Sequence, residues 1–163
     1  MANDSHPLRQ TESLDISGNA LSGVIPAFMY NLTTLRALDL SETLFFGAIE
    51  PQIGQLVALE VLVLQSAFIS GTIPSEVGLL TNLQVLNLNR NAPMMGSIPT
   101  ELGLLTDLER LILERNAFTG TIPTELGLLT SLQEAQFGEN SLSGAMPSEV
   151  CAIATNETLD LAL

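Results

Sequence analysis

Apolar residues recur along the chain at a nearly fixed interval, and most of them are leucine. Pairs of the form apolar-x-apolar begin at Leu14, Leu38, Leu62, Leu86, Leu111, Ala135 and Leu159, so the interval is 24 residues with one exception of 25. This alternation predicts a short β-strand with one buried side. A period of this length is typical of stacked coils, because one coil cannot bury its own leucines and needs neighbours to cover them.

Three further blocks keep the same register. An asparagine stands five residues after the strand start in four units, namely at Asn19, Asn91, Asn116 and Asn140. A buried amide there can bond to backbone groups at the bend of the chain, and stacked copies form a ladder. A Gly-x-Ile-Pro block, as at Gly120–Pro123, permits a turn followed by an extended segment. A Leu-Gly-Leu-Leu block, as at 102–105, favours a short helical turn.

These blocks predict an α/β repeat fold, a right-handed solenoid. We expect a parallel sheet of short strands on its concave face and 3-10 or short helical segments on its convex side. Residues 1–12 are predicted to be a polar tail or an incomplete first repeat, and 13–158 to be six repeats. Residues 159–163 are predicted to start a seventh strand or to belong to a truncated carboxy-terminal cap.

The unit from Leu108 to Pro123 reads Leu-x-x-Leu-x-Leu-x-x-Asn-x-Phe-x-Gly-x-Ile-Pro. It resembles the plant-type leucine-rich repeat, as in receptor-like kinase ectodomains and polygalacturonase-inhibiting proteins, over residues 8 to 161. The resemblance implies recognition of a protein, peptide or carbohydrate by the concave face. It also implies an extracellular or membrane-tethered parent protein. The family's amino-terminal cap with paired Cys and Trp is missing here, and Cys151 resembles the first cysteine of a carboxy-terminal cap without its partner.

The charge balance excludes several classes of partner. Eighteen acidic residues face five arginines and no lysine, so the formal net charge is −13. Such a surface repels phosphate backbones and anionic membranes, and we expect no nucleic-acid partner. The first residues lack the layout of a secretory signal, and no apolar run approaches the roughly 18 residues of a membrane span. We therefore expect no direct membrane insertion of this chain.

No cluster of titratable residues indicates catalysis. His6 lies in the polar tail without a recognisable nucleophile beside it, and Cys151 has no activating neighbour in the sequence. We expect no enzyme activity, no cofactor and no metal. Asp15, Asp39 and Glu42 are the nearest approach to a calcium site, but the column does not continue, and solvated carboxylates are the favoured interpretation.

The candidate ligand-binding residues are the outward side chains that flank the strand leucines. They are Asp15, Asp39, Glu42, Val63, Gln65, Asn87, Asn89, Arg90, Arg110, Ile112, Glu114, Arg115, Gln136 and Glu139. Their character runs from acidic through neutral to mixed charge. The arginines of the later units are either a docking patch for a carboxylate or partners of neighbouring glutamates, and the second interpretation is favoured.

A second candidate contact surface is apolar. Thr43 and Ala67 replace the ladder asparagine in adjacent units, and large apolar residues follow them. Leu44, Phe46 and Phe68 occupy positions that are small elsewhere, so they predict either an exposed patch at one edge of the sheet or local repacking of the core.

Two further observations leave alternatives open. Asn31 and Asn156 lie in glycosylation sequons. A seventh strand with no coil after it would leave an unpaired edge, which permits end-to-end association of two copies. The sequence thus predicts a non-catalytic recognition scaffold. The alternatives are a fragment of a receptor-like kinase ectodomain or polygalacturonase inhibitor, and a structural or ice-surface-binding repeat protein.

Overall fold

The computed structural model describes residues 10–91, 94–153 and the backbone of residues 160–162. A seven-stranded parallel sheet, here called the long sheet, runs along the molecule, and each strand pairs with the strand of the adjacent coil. Its strands are β1 (Ser13–Asp15), β3 (Ala37–Asp39), β5 (Val61–Val63), β7 (Val85–Asn87), β9 (Arg110–Ile112), β11 (Glu134–Gln136) and β13 (Asp160–Ala162). The predicted parallel sheet is confirmed.

The middle residue of each long-sheet strand forms the spine of the core. Leu38, Leu62, Leu86 and Leu111 follow one another in Cα register, and at most 1% of any of these residues is exposed. Burying a leucine side chain stabilises a protein by about 1.5–3 kcal/mol. Each coil therefore depends on its neighbours for burial, and the stacked leucines hold the coils in one register.

Asparagines join the coils where the strands end. The Nδ2 of Asn116 donates to the carbonyl of Leu113 in its own coil at 3.0 Å and to that of Leu88 in the preceding coil at 2.9 Å. Its Oδ1 accepts a hydrogen bond from the backbone N–H of Asn91. Asn91 and Asn140 repeat this arrangement, donating to both coils and accepting from a backbone N–H. The predicted ladder is confirmed in these three coils.

The ladder changes in the first three coils. Asn19 is exposed and donates to two carbonyls of its own coil. Thr43 is buried, and its hydroxyl donates to the carbonyl of Leu40. Ala67 is buried and contributes no polar side chain. The asparagines that bond to the preceding coil therefore lie in the later part of the described array.

The convex side of the described chain carries five 3-10 helices and one α-helix. The 3-10 helices are Ala27–Asn31, Pro51–Gln55, Ser75–Leu79, Thr100–Leu104 and Thr124–Leu128, and α1 is Ser148–Ile153. In four of the five, a proline immediately precedes the first residue, and in the remaining one proline is the first residue itself. Proline suits this place because its fixed φ is compatible with the first turn and its missing N–H is not needed there.

A glycine at the fourth position lets successive 3-10 helices pack closely. A Cβ on Gly78 would lie 2.6 Å from the carbonyl oxygen of Glu101, and one on Gly103 would lie 2.5 Å from that of Glu125. The first 3-10 helix has Tyr30 at this position instead. The aromatic ring there is buried, and it borders a cleft of about 460 Å³ between the first two coils.

The Gly-x-Ile-Pro side of the coils forms strands that the sequence analysis did not predict. One sheet comprises β2 (Ser22–Val24), β4 (Leu44–Ala48) and β6 (Phe68–Ser70), and the other comprises β8 (Met95–Gly96), β10 (Ala117–Gly120) and β12 (Ser141–Leu142). We call these two sheets together the lateral sheet. Between them, the described residues show a single bridge from Gly71 to Met94. The interruption falls in the unit with the inserted residue.

Candidate functional site

The outer face of the long sheet aligns the predicted binding residues in rows. Asp15, Asp39, Val63, Asn87, Ile112 and Gln136 are Cα partners in that order. Adjacent members of such a row lie about 4.8 Å apart, so neighbouring side chains can contact one ligand together. Ile112 differs from the sequence analysis, which placed it on the outer surface: it is only 5% exposed, and little of it is accessible to a ligand.

The acidic start of this row is held by local hydrogen bonds. The Oδ1 of Asp15 accepts bonds from the hydroxyl of Ser17 at 2.6 Å and from its backbone N–H at 2.9 Å. Asp39 makes the same two bonds with Ser41, at 2.6 Å and 2.8 Å. The hydroxyl bond and then the backbone bond lower the pKa of Asp15. One oxygen of each carboxylate is thus engaged in fixing the turn that follows the strand.

The middle of the face is neutral and linked by amides. The Nδ2 of Asn87 donates to the Oε1 of Gln65 in the preceding coil at 2.9 Å. The Oδ1 of Asn87 accepts from the backbone N–H of Asn89 at 3.0 Å. Among the described residues, the buried Oδ1 of Asn89 has no hydrogen-bond partner. Val63, half-buried beside these amides, adds an apolar contact.

A further row consists of residues at one repeat position whose backbone φ is positive, in the left-handed region. Glu42, Ser66, Arg90, Arg115 and Glu139 have φ between 52° and 59°, and Gly18 precedes them with φ 65°. Residues other than glycine are uncommon there. Residues of this row hold their left-handed conformation while their backbone N–H groups bond to the next coil. The N–H of Ser66 donates to the carbonyl of Asn89 at 2.9 Å, and the N–H of Arg90 donates to the carbonyl of Glu114 at 3.1 Å.

Two of the three arginines predicted on this face are paired with glutamates of the next coil. The Nε of Arg110 lies 2.6 Å from a carboxylate oxygen of Glu134, and a terminal nitrogen of Arg115 lies 2.8 Å from one of Glu139. The hydrogen bond and the charge of Glu139 raise the pKa of Arg115. Glu114 lies near the same guanidinium, at 3.7 Å. The geometry agrees with the ion-pair interpretation for these two residues.

One ion pair was missed by the sequence analysis. Arg36, immediately before β3, pairs with Glu60, immediately before β5. The signal was available, because the two residues are one repeat apart and occupy equivalent positions. Arg90 differs from the other three described arginines: it is exposed, and no described carboxylate lies within ion-pair distance of it. Among the described arginines, Arg90 has the guanidinium with most capacity for a ligand.

The predicted apolar contact residues lie on the lateral sheet and not at the edge of the long sheet. Leu44, Phe46 and Phe68 are 46%, 52% and 55% exposed. Val24, Phe46 and Phe68 are Cα partners in successive strands, so their side chains form one row. Phe45, between Leu44 and Phe46, and Ile69, directly after Phe68, are buried. The large residues at these positions therefore project outward instead of filling the core.

The remaining candidates have separate environments. Asn31 is exposed at the end of the first 3-10 helix, beside the cleft at Tyr30. Cys151 is exposed in α1 with a free thiol. His6 and Asn156 lie outside the described residues. Within the described chain, no three His, Cys, Asp or Glu side chains come together as a metal site, and no helix is long and apolar enough to cross a membrane.

Solved structures of plant proteins share this architecture. The leucine-rich-repeat ectodomain of the receptor kinase GASSHO1/SCHENGEN3 from Arabidopsis thaliana, in complex with CASPARIAN STRIP INTEGRITY FACTOR 2, superposes with a TM-score of 0.89. It is 36% identical, over 94% of this chain and 18% of that chain. The Arabidopsis receptor kinase HAESA, in complex with the peptide hormone IDA and the co-receptor SERK1, has a TM-score of 0.82 and 34% identity, over 91% of this chain and 24% of that one.

A plant ice-binding protein has a TM-score of 0.80 and 29% identity, over 85% of this chain and 44% of that chain. The chain thus spans a quarter or less of the two receptor ectodomains. Among curated protein sequences, none matches it. Residues 10–153 match the model of a family described as leucine-rich repeat region. Since this match covers most of the sequence and the coils have the predicted motif, the chain belongs to the leucine-rich repeat family, of the plant type.

Proposed function

We propose that the chain is a recognition module whose concave face binds an extended peptide or a peptide segment of a protein. The observation that carries this proposal is the ordered outer row of the long sheet, in which acidic, neutral and mixed-charge coils follow one another. An extended ligand lying across the coils would meet one side chain per coil. The HAESA complex, which contains a peptide hormone, supports a peptide as the ligand class.

Beside this row, in the row of residues with left-handed backbone, Arg90 is assigned to an anionic group of the ligand. Its guanidinium has no ion-pair partner among the described carboxylates, whereas Arg110 and Arg115 are already engaged. A guanidinium can donate two parallel hydrogen bonds to a carboxylate. Val63 supplies an apolar contact one coil earlier.

Selection of peptides from a displayed random library tests the proposal. Enriched peptides are synthesised, and their dissociation constants are measured by calorimetry. The double variant Val63→Lys with Asn87→Lys should weaken binding by about tenfold or more, because two long side chains then fill the space over the middle of the row that the ligand would occupy. Val57→Lys is the matched control, since Val57 is 52% exposed on the other side of the coil. Equal loss with the control variant, or no loss with the double variant, would contradict the proposal.

The same proposal includes an absence of catalysis and an extracellular setting. Both are supported by the receptor ectodomains that the chain resembles. A fragment of a receptor-like kinase ectodomain and a polygalacturonase-inhibitor-like protein would both be recognition modules of this kind, whereas a carbohydrate ligand is the alternative to the peptide. End-to-end association through the edge of β13 stays a separate prediction, and a single monomeric mass in light scattering would contradict it.

Ice-surface binding is the second candidate function, favoured by the likeness to the plant ice-binding protein. Ice binding requires a flat face with a repeated spacing of similar groups. The outer row of the long sheet instead changes from Asp39 through Val63 to Asn87 in three adjacent coils. Thermal hysteresis at millimolar protein, with loss in Asn87→Lys, would support ice binding over peptide recognition.

A further inference from the structure

The convex side carries a surface that the proposed function does not use. In the third, fourth and fifth coils, the 3-10 helices read Ser-Glu-Val-Gly-Leu, Thr-Glu-Leu-Gly-Leu and Thr-Glu-Leu-Gly-Leu. The first and second coils have different residues at the Glu and Leu positions: Phe28 and Asn31 in one, Gln52 and Gln55 in the other. Three consecutive coils therefore present the same pair of side chains, one acidic and one apolar.

Glutamate and leucine of each pair point to the same side. They are three residues apart, and side chains at that separation eclipse one another on a 3-10 helix. These leucines are far more exposed than the leucines of the core. Leu79, Leu104 and Leu128 are 55%, 56% and 58% exposed. Three stacked leucines with more than half of their surface in water form a continuous apolar stripe.

The close contacts at the glycines bring the column of exposed leucines next to the column of glutamates. The Cβ position of Gly78, the residue before Leu79, faces Glu101 of the next coil. The same relation joins Gly103 to Glu125. Each exposed leucine therefore has a glutamate of its own coil on one side and lies close to a glutamate of the next coil. We call the surface formed by Glu76, Leu79, Glu101, Leu104, Glu125 and Leu128 the Glu–Leu face.

The charge of the Glu–Leu face is uncompensated. Within the described chain, none of its three glutamates forms an ion pair, and the hydroxyls of Thr100 and Thr124 are the neighbours that donate to Glu101 and Glu125, each at 3.3 Å. The four described arginines all lie in or next to strands of the long sheet, on the opposite side of the coils. The face thus combines an apolar stripe with a column of negative charge.

We propose that the Glu–Leu face docks a basic amphipathic helix of a partner protein. A helix offers one apolar residue per turn of about 5.4 Å, close to the spacing of about 4.8 Å between coils in the long sheet. A β-strand repeats its side every two residues, or about 6.6 Å, and fits the stripe less well. Lysines or arginines beside the apolar stripe of such a helix would meet the glutamate column.

Charge complementarity excludes the obvious competitors. A second copy of this chain would bring a second glutamate column against the first, and like charges repel. An anionic membrane surface would be repelled for the same reason. A basic helix satisfies both the apolar and the electrostatic requirement.

The chain itself supplies the variants for the test. Gln55 occupies the leucine position and Gln52 the glutamate position in the second coil, so glutamine is compatible with this fold at both places. One triple variant is Leu79→Gln, Leu104→Gln, Leu128→Gln, and the other is Glu76→Gln, Glu101→Gln, Glu125→Gln. Circular dichroism melting of each variant checks that the solenoid is intact. Val63→Gln, on the concave face, is the matched control.

The probe is a synthetic Leu/Lys peptide of about 18 residues, which is five helical turns, compared with a scrambled peptide of the same composition. Fluorescence anisotropy measures the dissociation constants at low and at physiological salt. The leucine triple variant should bind the helical peptide about tenfold more weakly or worse. The glutamate triple variant should bind more weakly at low salt and lose most of the salt dependence. Val63→Gln should bind as the unmodified chain does.

Three outcomes would overturn the proposal. Binding of the scrambled peptide as tightly as the helical one would reduce the effect to net charge. Unchanged affinity in the leucine triple variant would show that the stripe is not the contact. A dimer of the unmodified chain that the leucine triple variant abolishes would assign the face to a second copy. None of these results bears on peptide binding by the concave face, which Val63→Lys with Asn87→Lys tests separately.

Discussion

The Oδ1 of Asn116 accepts a hydrogen bond from the backbone N–H of Asn91 at 3.1 Å, and this bond crosses from one coil to the preceding one. The Nδ2 of the same Asn116 donates back to the Leu88 carbonyl of that preceding coil at 2.9 Å. One side chain therefore satisfies both a donor and an acceptor of its neighbour. The asparagine is a connector between repeats, and its removal leaves buried backbone groups without partners.

Asn116→Ala should therefore lower the free energy of unfolding by about 3 kcal/mol, because each unsatisfied buried group costs about 1–3 kcal/mol. Chemical denaturation measures the change. Asn19→Ala is the matched control in the same column, where the amide is exposed and bonds only within its own coil. We expect the control to cost less than about 1 kcal/mol. Equal losses at both positions would show that bonds between coils are not the cause.

Gly103→Ala should destabilise the solenoid by about 2 kcal/mol, although alanine is the better helix former. The new Cβ would lie 2.5 Å from the carbonyl oxygen of Glu125, and a backbone atom cannot yield without moving the coil. At Gly54 the new Cβ would lie 3.0 Å from the Cδ1 of Leu79, the end of a flexible side chain, and 3.1 Å from the carbonyl oxygen of Glu76, so a smaller shift relieves the contact. Gly54→Ala should therefore cost clearly less in the same denaturation experiment, and the reverse order would contradict the packing argument.

Tyr30 provides a pH-dependent test. Burial raises its pKa, more than the hydrogen bond from the backbone N–H of Glu50 lowers it. Since the neutral phenol is favoured in the folded chain, this contribution to stability is complete below about pH 10 and is lost as the pH rises through the raised value. The chain has one tyrosine, so absorbance of the phenolate follows this group alone. The prediction would be contradicted if the phenolate of the folded chain formed with a titration midpoint at or below that of the urea-unfolded chain.

Ser66 tests the left-handed row. Its φ is 54°, a region that β-branched side chains avoid. Ser66→Val should lower the melting temperature, by an amount equivalent to about 1–2 kcal/mol, while Ser66→Asn should leave it nearly unchanged because asparagine tolerates this conformation. The residue is partly exposed, so loss of packing does not explain the difference. Equal melting temperatures for the two variants would show that the backbone at this position relaxes.

Much of the fold could be predicted because its cause is periodic. The leucine spine and the asparagines of the later coils follow from one residue type at one position in each repeat, so register in the sequence becomes register in space. Gly78 and Gly103 follow from the same argument, since their block recurs with the helical turn. Tyr30 could also have been recognised as a departure, because it stands where the other 3-10 helices have glycine.

The lateral sheet could not be predicted in this way. β2, β4 and β6 pair with an offset relative to the repeat, since Phe46 pairs with Phe68, 22 residues later, and not with its equivalent Ser70. A single unit does not reveal such pairing. The burial of Ile112 depends on side-chain conformation across two coils. That information is absent from the pattern of apolar and polar positions.

The interruption of the lateral sheet has a mechanical consequence. Along the long sheet, hydrogen bonds continue through every described coil, but on the flank the described residues of the third and fourth coils share one bridge, from Gly71 to Met94. A solenoid whose backbone hydrogen bonds continue on one side and are interrupted on another bends most easily at the interruption, about the continuous side. We therefore expect thermal bending to be larger between the third and fourth coils than at the other junctions between coils.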